Sequence, residues 1–153
     1  MRREIARCAD RPLVLCGPVQ DEPYFTDEIE PHVDGDSVRY LGSVGHLERA
    51  QVLGEAACLL HPIAFAEPFG LSVVESMLCG TPVVAYARGS MPEIIEDGVT
   101  GVLADSVDSA VEGVKRAVQL DRAACRQTAE RRFSADRMVD SYLDVYESVL
   151  HER

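Results

Sequence analysis

The segment that decides the fold is CLLHPIAFAEPFGLSVVESMLCGTPVVAY, residues 58–86. Its two ends, residues 58–62 and 82–86, are short apolar runs typical of strands that are covered on both faces. Between them, a helix-like stretch begins near Leu71 and ends at a glycine, Gly80. The segment therefore predicts a strand, a helix and a second strand parallel to the first.

The same alternation extends outward on both sides. Three further apolar runs predict strands at 13–17, 38–42 and 101–105, and helix-like stretches lie between the strands at 24–33, 46–57 and 90–98. This order is typical of an α/β, Rossmann-like, doubly wound parallel sheet.

The two ends of the chain depart from that alternation. After Asp105, three helical stretches at about 107–120, 121–132 and 134–151 are predicted to pack back over the sheet as a closing layer. At the start, the helical stretch RREIARCAD (2–10) precedes every strand, whereas a doubly wound unit normally begins with a strand. We therefore predict that the first strand of the fold is missing.

Composition narrows the class of protein. The 153 residues fit one domain, and 15 Lys+Arg against 26 Asp+Glu give a net charge of -11, which disfavours nucleic acid and anionic membranes. Five scattered cysteines without a Cys-x-x-Cys pair indicate reduced thiols, not a disulfide framework or a zinc site. Neither a membrane span nor a signal peptide is indicated, so we expect a cytoplasmic location.

The loop before the helix at Leu71 carries the strongest functional signal. In open α/β sheets, ligands bind at the carboxyl ends of the strands, which is where Glu67 lies. Gly70 leads into the helix, whose free N–H groups suit a phosphate. Glu67 and Glu75, with seven residues between them, would offer carboxylates to hydroxyls on either side. The pattern predicts a sugar nucleotide site.

Two local alternatives compete with this interpretation. Ser72 to Glu75 matches a capping box, in which the glutamate only caps the helix, and Glu67 alone could be a solvated loop acid. A second Ser-x-x-Glu pattern runs from Ser90 to Glu93 and predicts another capped helix. Its preceding loop points at the same crevice, so Gly89 and Ser90 are predicted to border the ligand.

Other candidate positions carry weaker signals. The loop in LGSVGHLER (41–49) lacks the full pattern of a phosphate loop, but a base could approach it at Val44. The Asp-Gly-Asp of residues 34–36 precedes a strand and predicts a turn, not a metal clamp. His61 is a candidate for the wall of the site, whereas no histidine has the surroundings of a catalytic triad.

Taken together, these motifs resemble the donor-binding, carboxyl-terminal domain of group 1 (family 4) retaining glycosyltransferases of the GT-B fold. The resemblance covers most of residues 13–105. It rests on Glu-x7-Glu with Phe-Gly-Leu inside, followed by Gly-Thr-Pro-Val-Val and by Pro-Glu-Ile-Ile-x-x-Gly-x-x-Gly.

The resemblance implies a role for each site residue. Glu67, the catalytic candidate, would contact hydroxyls of the donor sugar, and Glu75 would contact the ribose. The amides of Phe69, Gly70 and Leu71 would hold sugar and phosphate. Val44 would line the base pocket, with His46 and Arg49 as weaker candidates. The resemblance also implies a metal-independent reaction without a cofactor, in which positive charge and amide dipoles help the nucleoside diphosphate to leave.

Two departures from the family pattern stand out. The chain offers no amino-terminal acceptor domain, and it lacks the first strand and the Gly-Arg…Lys-Gly loop that neutralises the diphosphate. Arg2 and Arg3 are not at the matching place. The missing strand would lie between residues 13–17 and 58–62, so its absence leaves either a rearranged gap or two edges open to another chain.

We therefore predict one incomplete nucleotide-sugar-binding domain over 1–153, with a sheet core at 13–105 and a helical tail at 106–153. It is expected to be the donor-binding part of an enzyme that moves a hexose from a UDP- or GDP-sugar to an acceptor hydroxyl. Alone, it is expected to be inactive. The alternatives are a non-catalytic module that binds a sugar nucleotide or a partner, and a GT-B-fold sugar-nucleotide epimerase.

Overall fold

The computed structural model describes residues 1–151 and contains all five predicted strands, each one or two residues shorter than predicted. The strands are β1 Leu13–Leu15, β2 Val38–Tyr40, β3 Leu59–His61, β4 Val83–Tyr86 and β5 Gly101–Ala104. Every pairing between them is parallel. The predicted α/β fold class is therefore confirmed.

The helices alternate with the strands and then continue alone. They are α1 Arg2–Cys8, α2 Glu22–Tyr24, α3 His46–Glu55, α4 Leu71–Leu78, α5 Met91–Ile94, α6 Val107–Ala117, α7 Arg122–Phe133 and α8 Ala135–His151.

The helix-like stretch predicted over 24–33 is helical, but it is not one regular α-helix. Asp21 caps α2 by accepting the Tyr24 N–H at 3.0 Å, and the chain then passes through a π-helical turn, Phe25–Ile29, and a 3-10 turn, Glu30–His32. Pro31 lies inside that last turn and has no N–H with which to continue an α-helical ladder. The segment is therefore helical but irregular.

The strands form two sheets. One has the order β1-β2 and the other the order β3-β4-β5. Within residues 1–151, β1 pairs only with β2, and β3 pairs only with β4. Each sheet has two unpaired edges, and β1 and β3, the strands between which the missing strand was predicted, each have one of them. Unpaired parallel edges of this kind can accept another strand.

The core lies on both faces of the three-stranded sheet, because side chains alternate along a strand. Val83 and Ala85 of β4 pack on one face against α4, α5 and α7. Val84 and Tyr86 pack on the other face against α6 and against Ile5 of α1, which is fully buried. The result is a three-layer α/β/α sandwich whose central strand, β4, is buried throughout.

The predicted closing layer is only partly correct. Helix α6 packs against β4 and β5, and α7 packs against α4, but α8 has no buried residue. Its exposed apolar side chains are Met138, Val139, Tyr142, Leu143, Val145, Tyr146, Val149 and Leu150. None of the helices within residues 1–151 is long and apolar enough to cross a membrane.

Candidate functional site

The loop that joins β3 to α4 forms the centre of the candidate site. Gly70 ends this loop in the left-handed conformation, with φ +87°, and serves as the N-cap of α4. A Cβ atom at this position would lie 2.8 Å from Cε of Met91, so no larger residue fits without a shift. The Cγ atom of Glu67 lies 3.5 Å from the same point. Gly70 therefore turns the chain into α4 beside the Glu67 side chain.

The start of α4 offers free hydrogen-bond donors. Within residues 1–151, the backbone N–H groups of Phe69, Gly70 and Leu71 have no acceptor. The first N–H that is satisfied belongs to Val73, which donates to Gly70 O at 2.9 Å. Donors of this kind at the positive end of a helix are suited to an anion. The three amides are those predicted to hold sugar and phosphate.

The structure excludes the capping-box interpretation of Glu75. Ser72 lies inside α4, one residue after Leu71, and the N-cap residue is Gly70, which provides no side-chain cap. The Glu75 carboxylate instead forms an ion pair with Arg49 of α3, with Arg49 Nη2 and Glu75 Oε1 3.0 Å apart. Glu75 is therefore free of the local role that competed with ligand binding.

Gly89 and Ser90 support the Glu67 loop from the end of β4. The Ser90 N–H donates to Glu67 O at 2.9 Å, and the Ser90 hydroxyl donates to Phe69 O at 2.9 Å. The predicted Ser90 side-chain cap of α5 is therefore wrong, because the hydroxyl bonds across to the other loop. A Cβ on Gly89, at φ +56°, would lie 2.4 Å from Glu67 O. The two loops are in close backbone contact.

Arg88 brings a positive charge to the same edge of the sheet. Its Nη1 donates to Ala64 O at 2.7 Å, and its guanidinium carbon lies 6.0 Å from the centroid of the Tyr86 ring. Sequence reasoning missed this residue as a candidate. Its position directly after β4, at the carboxyl edge of the sheet, is the signal that could have identified it.

The Phe69 side chain lies against the end of α7. Its ring meets that of Phe133 edge-on, with the centroids 6.3 Å apart, and the Arg132 guanidinium lies 4.9 Å from the Phe133 centroid. The ring of Phe69 is therefore engaged with α7, and its backbone N–H is the group suited to the predicted contact with phosphate.

His61, the last residue of β3, is buried beside this loop. Only 9% of its surface is exposed, and its Nε2 has no hydrogen-bond partner within residues 1–151. Burial lowers the pKa of His61, the charge of Arg2 lowers it further, and the Glu67 carboxylate acts in the opposite direction. His61 is therefore neutral at pH 7, and Arg2 and Glu67 are close enough to influence it.

The unpaired nitrogen leads to a testable expectation. We expect His61→Leu to raise the free energy of unfolding by about 1 kcal/mol, because an apolar side chain of similar size leaves no buried polar atom unpaired. The gain should be larger at about pH 5.5 than at about pH 8. Since folding lowers the pKa of His61, the unfolded chain binds the proton more readily, and the wild type loses stability as the pH falls through about 6.5.

Urea unfolding at the two pH values measures both effects. A variant that is less stable than the wild type at both pH values would show that Nε2 has a partner in solution.

The loop predicted to approach the base lies between β2 and α3. Val44 is half-buried in it, and Gly45 is the N-cap of α3. Arg49 lies one turn into α3, where its Nη2 is 3.1 Å from His46 Nδ1. Through the ion pair with Glu75, this loop and its helix are connected to α4.

The Asp-Gly-Asp segment is a turn, as predicted. The Asp34 carboxylate accepts the N–H groups of Asp36 and Val38 at 2.9 Å each, and also the Ser37 hydroxyl. These hydrogen bonds hold the pKa of Asp34 well below its usual range. In the part of the chain that the structure describes, no group of three or more His, Cys, Asp or Glu could hold a metal ion.

Comparison with known proteins identifies the class of protein. Residues 5–132 match the family of glycosyl transferases, group 1. The chain therefore belongs to this family. The match confirms the resemblance found in the sequence, and the structural neighbours are GT-B glycosyltransferases.

Two curated relatives share about a third of their aligned residues with this chain. An uncharacterized 41.2 kDa protein in the cps region of Klebsiella pneumoniae is 33% identical over 127 residues, which cover 76% of this chain and 34% of that protein. D-inositol 3-phosphate glycosyltransferase of Mycobacterium tuberculosis is 35% identical over 126 residues, covering 75% of this chain and 26% of that enzyme.

Solved structures extend the likeness to nearly the whole chain. AviGT4, a glycosyltransferase involved in avilamycin A biosynthesis, superposes with a TM-score of 0.80 and 26% identity, covering 99% of this chain and 47% of AviGT4. Anabaena HepE, crystallised with UDP-glucose, has a TM-score of 0.73 and 22% identity over 97% of this chain and 45% of HepE, a likeness of fold. The chain thus spans about half the length of these structures.

Proposed function

We propose that this chain is the donor-binding part of a retaining glycosyltransferase that moves a hexose from a nucleoside diphosphate sugar to an acceptor hydroxyl. The observation that supports this most directly is the group of three free amides at the start of α4, with Glu67 before them and Glu75 after them. An anion on the amides would have a carboxylate acceptor on each side. A sugar nucleotide has the matching order of hydroxyls, phosphates and hydroxyls.

Each group then has a chemical role. The amides of Phe69, Gly70 and Leu71 bind the diphosphate and stabilise the charge that develops as it leaves. Glu67, held by the loop of Gly89 and Ser90, accepts hydrogen bonds from the hydroxyls of the donor sugar. Glu75 accepts from the ribose, and the base lies at Val44. In this proposal the reaction needs neither a metal nor a cofactor.

The acceptor site is proposed to lie outside these 153 residues, because the chain spans about half the length of the structures it matches. Arg2 and Arg88 provide some positive charge near the loop, but the net charge of -11 opposes a diphosphate. We therefore propose weak donor binding and no transfer by the isolated chain. A cytoplasmic location is proposed because all five cysteines are free.

Binding of UDP-glucose by wild type and by Glu75→Ala tests the site. We expect the variant to bind about tenfold more weakly, since it loses charge-assisted hydrogen bonds to the ribose. NMR titration of the isolated chain is suited to weak binding, and a GDP-sugar titrated in parallel identifies the preferred base.

Glu130→Ala is the matched control, because Glu130 lies on α7 in an exposed ion pair with Arg126 at 2.7 Å. Equal affinity of the wild type and Glu75→Ala would contradict the ribose assignment.

The unpaired edges favour a second candidate, a module that has kept donor binding but assembles with another chain. The edges of β1 and β3 and the uncovered apolar side chains of α8 are surfaces that a partner could cover. An assay of sugar transfer by the purified chain distinguishes an enzyme from such a module. Measured transfer by the chain alone would contradict our proposal that it is inactive unaided.

A further inference from the structure

Glu75 is held by a side chain from another helix. Arg49 Nη2 lies 3.0 Å from Glu75 Oε1, and the two side chains are 40% and 33% exposed. An ion pair as exposed as this one contributes little to stability, because water already solvates both charges and two long side chains must be ordered. Stability alone therefore gives little reason for the contact.

The same nitrogen of Arg49 has a second partner. Nη2 carries two N–H groups, and it lies 3.1 Å from His46 Nδ1 as well as 3.0 Å from the carboxylate. A guanidinium can only donate, so His46 accepts at Nδ1 and keeps its proton on Nε2. The Arg49 side chain is thus fixed between the first residue of α3 and the middle of α4.

The carboxylate keeps room for a ligand. Arg49 forms an ion pair with Oε1, and Glu75 Oε2 has no ion-pair or hydrogen-bond partner within residues 1–151. A carboxylate offers about four acceptor positions. A held carboxylate with free positions on both oxygens matches a pair of neighbouring hydroxyls, such as the 2′ and 3′ hydroxyls of a ribose.

We propose that Arg49 and His46 are positioning residues that orient the Glu75 carboxylate towards the ribose, so that the chain prefers a ribonucleotide to a 2′-deoxyribonucleotide. The proposal rests on the role proposed above for Glu75. Beyond that role, it specifies that the ribose is the part of the nucleotide that is selected, and that Arg49 and His46 act through Glu75. Because His46 follows Val44 and Gly45, the pair also connects the ribose contact to the predicted base loop.

The test compares UDP with 2′-deoxy-UDP by NMR titration of the full chain. We expect the wild type to bind UDP about tenfold more tightly than 2′-deoxy-UDP, because the deoxy compound loses one charge-assisted hydrogen bond to Glu75. Arg49→Ala should weaken UDP about three- to tenfold and weaken 2′-deoxy-UDP less, because only UDP presents both hydroxyls to the carboxylate. Arg49→Lys keeps the charge but not the fixed fork, and should restore only part of the preference.

Two further variants complete the design. In the double variant Arg49→Ala/Glu75→Ala, the loss should be no greater than in Glu75→Ala, because Arg49 acts through the carboxylate. Arg126→Ala is the matched control, since Arg126 is an exposed arginine in the ion pair with Glu130 on α7.

Each outcome decides between the two proposals. If Glu75→Ala weakens UDP but Arg49→Ala does not, or if Arg49→Ala weakens both nucleotides equally, the positioning role is wrong and the proposed function stands. An absence of discrimination in the wild type would also overturn the positioning role. If the wild type does not bind UDP, or Glu75→Ala leaves UDP binding unchanged, the proposed role of Glu75 fails and the positioning role fails with it.

Discussion

Gly89→Ala is expected to lower the free energy of unfolding by about 3 kcal/mol or more, the largest effect of any single change considered for this chain. The positive φ of +56° alone costs a non-glycine residue about 1–2 kcal/mol. The new Cβ would also lie 2.4 Å from O and 2.5 Å from N of Glu67. Because these are backbone atoms, the whole Glu67 loop must move, and we expect UDP-glucose binding to be lost as well.

The chain provides a matched control for this experiment. Gly98 has a φ of +82°, but a Cβ there would meet nothing within 4 Å. Gly98→Ala should therefore show only the cost of the backbone conformation, and Gly89→Ala should show that cost plus the collision. Urea unfolding followed by circular dichroism measures the difference. Equal loss of stability in the two variants would mean that the Glu67 loop is not held closely by Gly89.

Arg122→Met is expected to lower the free energy of unfolding by about 2–3 kcal/mol. Arg122 begins α7, and its guanidinium donates to Ala56 O at 2.7 Å, to Gly54 O at 2.6 Å and to Thr81 Oγ1 at 2.7 Å. These bonds tie α7 to the end of α3 and to Thr81, which lies two residues before β4. Methionine preserves much of the apolar packing but leaves the carbonyl groups without their charged donor.

Arg116→Met serves as the control for Arg122. Arg116 forms an exposed ion pair with Asp97 at 3.3 Å, and its loss should change the stability by less than about 0.5 kcal/mol. Both variants can be measured by urea unfolding at one pH. A loss in Arg122→Met no larger than that in Arg116→Met would show that the three bonds are exchanged for water at little cost.

Much of the fold could be predicted because it depends on local patterns. Apolar runs such as Leu59–His61 and Val83–Tyr86 identify strands, and Gly70 identifies the start of α4. The motifs around Glu67 and Glu75 also sufficed for the family, which the comparison confirmed. The ligand contacts of those two residues stay predictions.

The two Ser-x-x-Glu patterns predicted side-chain caps that the structure does not contain. The capping-box pattern of Ser72 to Glu75 is present in the sequence, but Gly70 begins the helix before it and leaves Glu75 free for Arg49. Ser90 likewise matches a cap, yet its hydroxyl bonds to Phe69 O, 21 residues away. In both cases a contact between distant residues decided the outcome, and such contacts leave no periodic signal in the chain.

The sequence by itself determined the strands, most helices and the family, because these follow from apolar periodicity and from short motifs. Only the tertiary structure decided that the strands divide into two sheets, that α8 stays uncovered and that Arg49 holds Glu75. The physical reason is that each of these features depends on which surfaces and polar groups remain unpaired after all elements have packed.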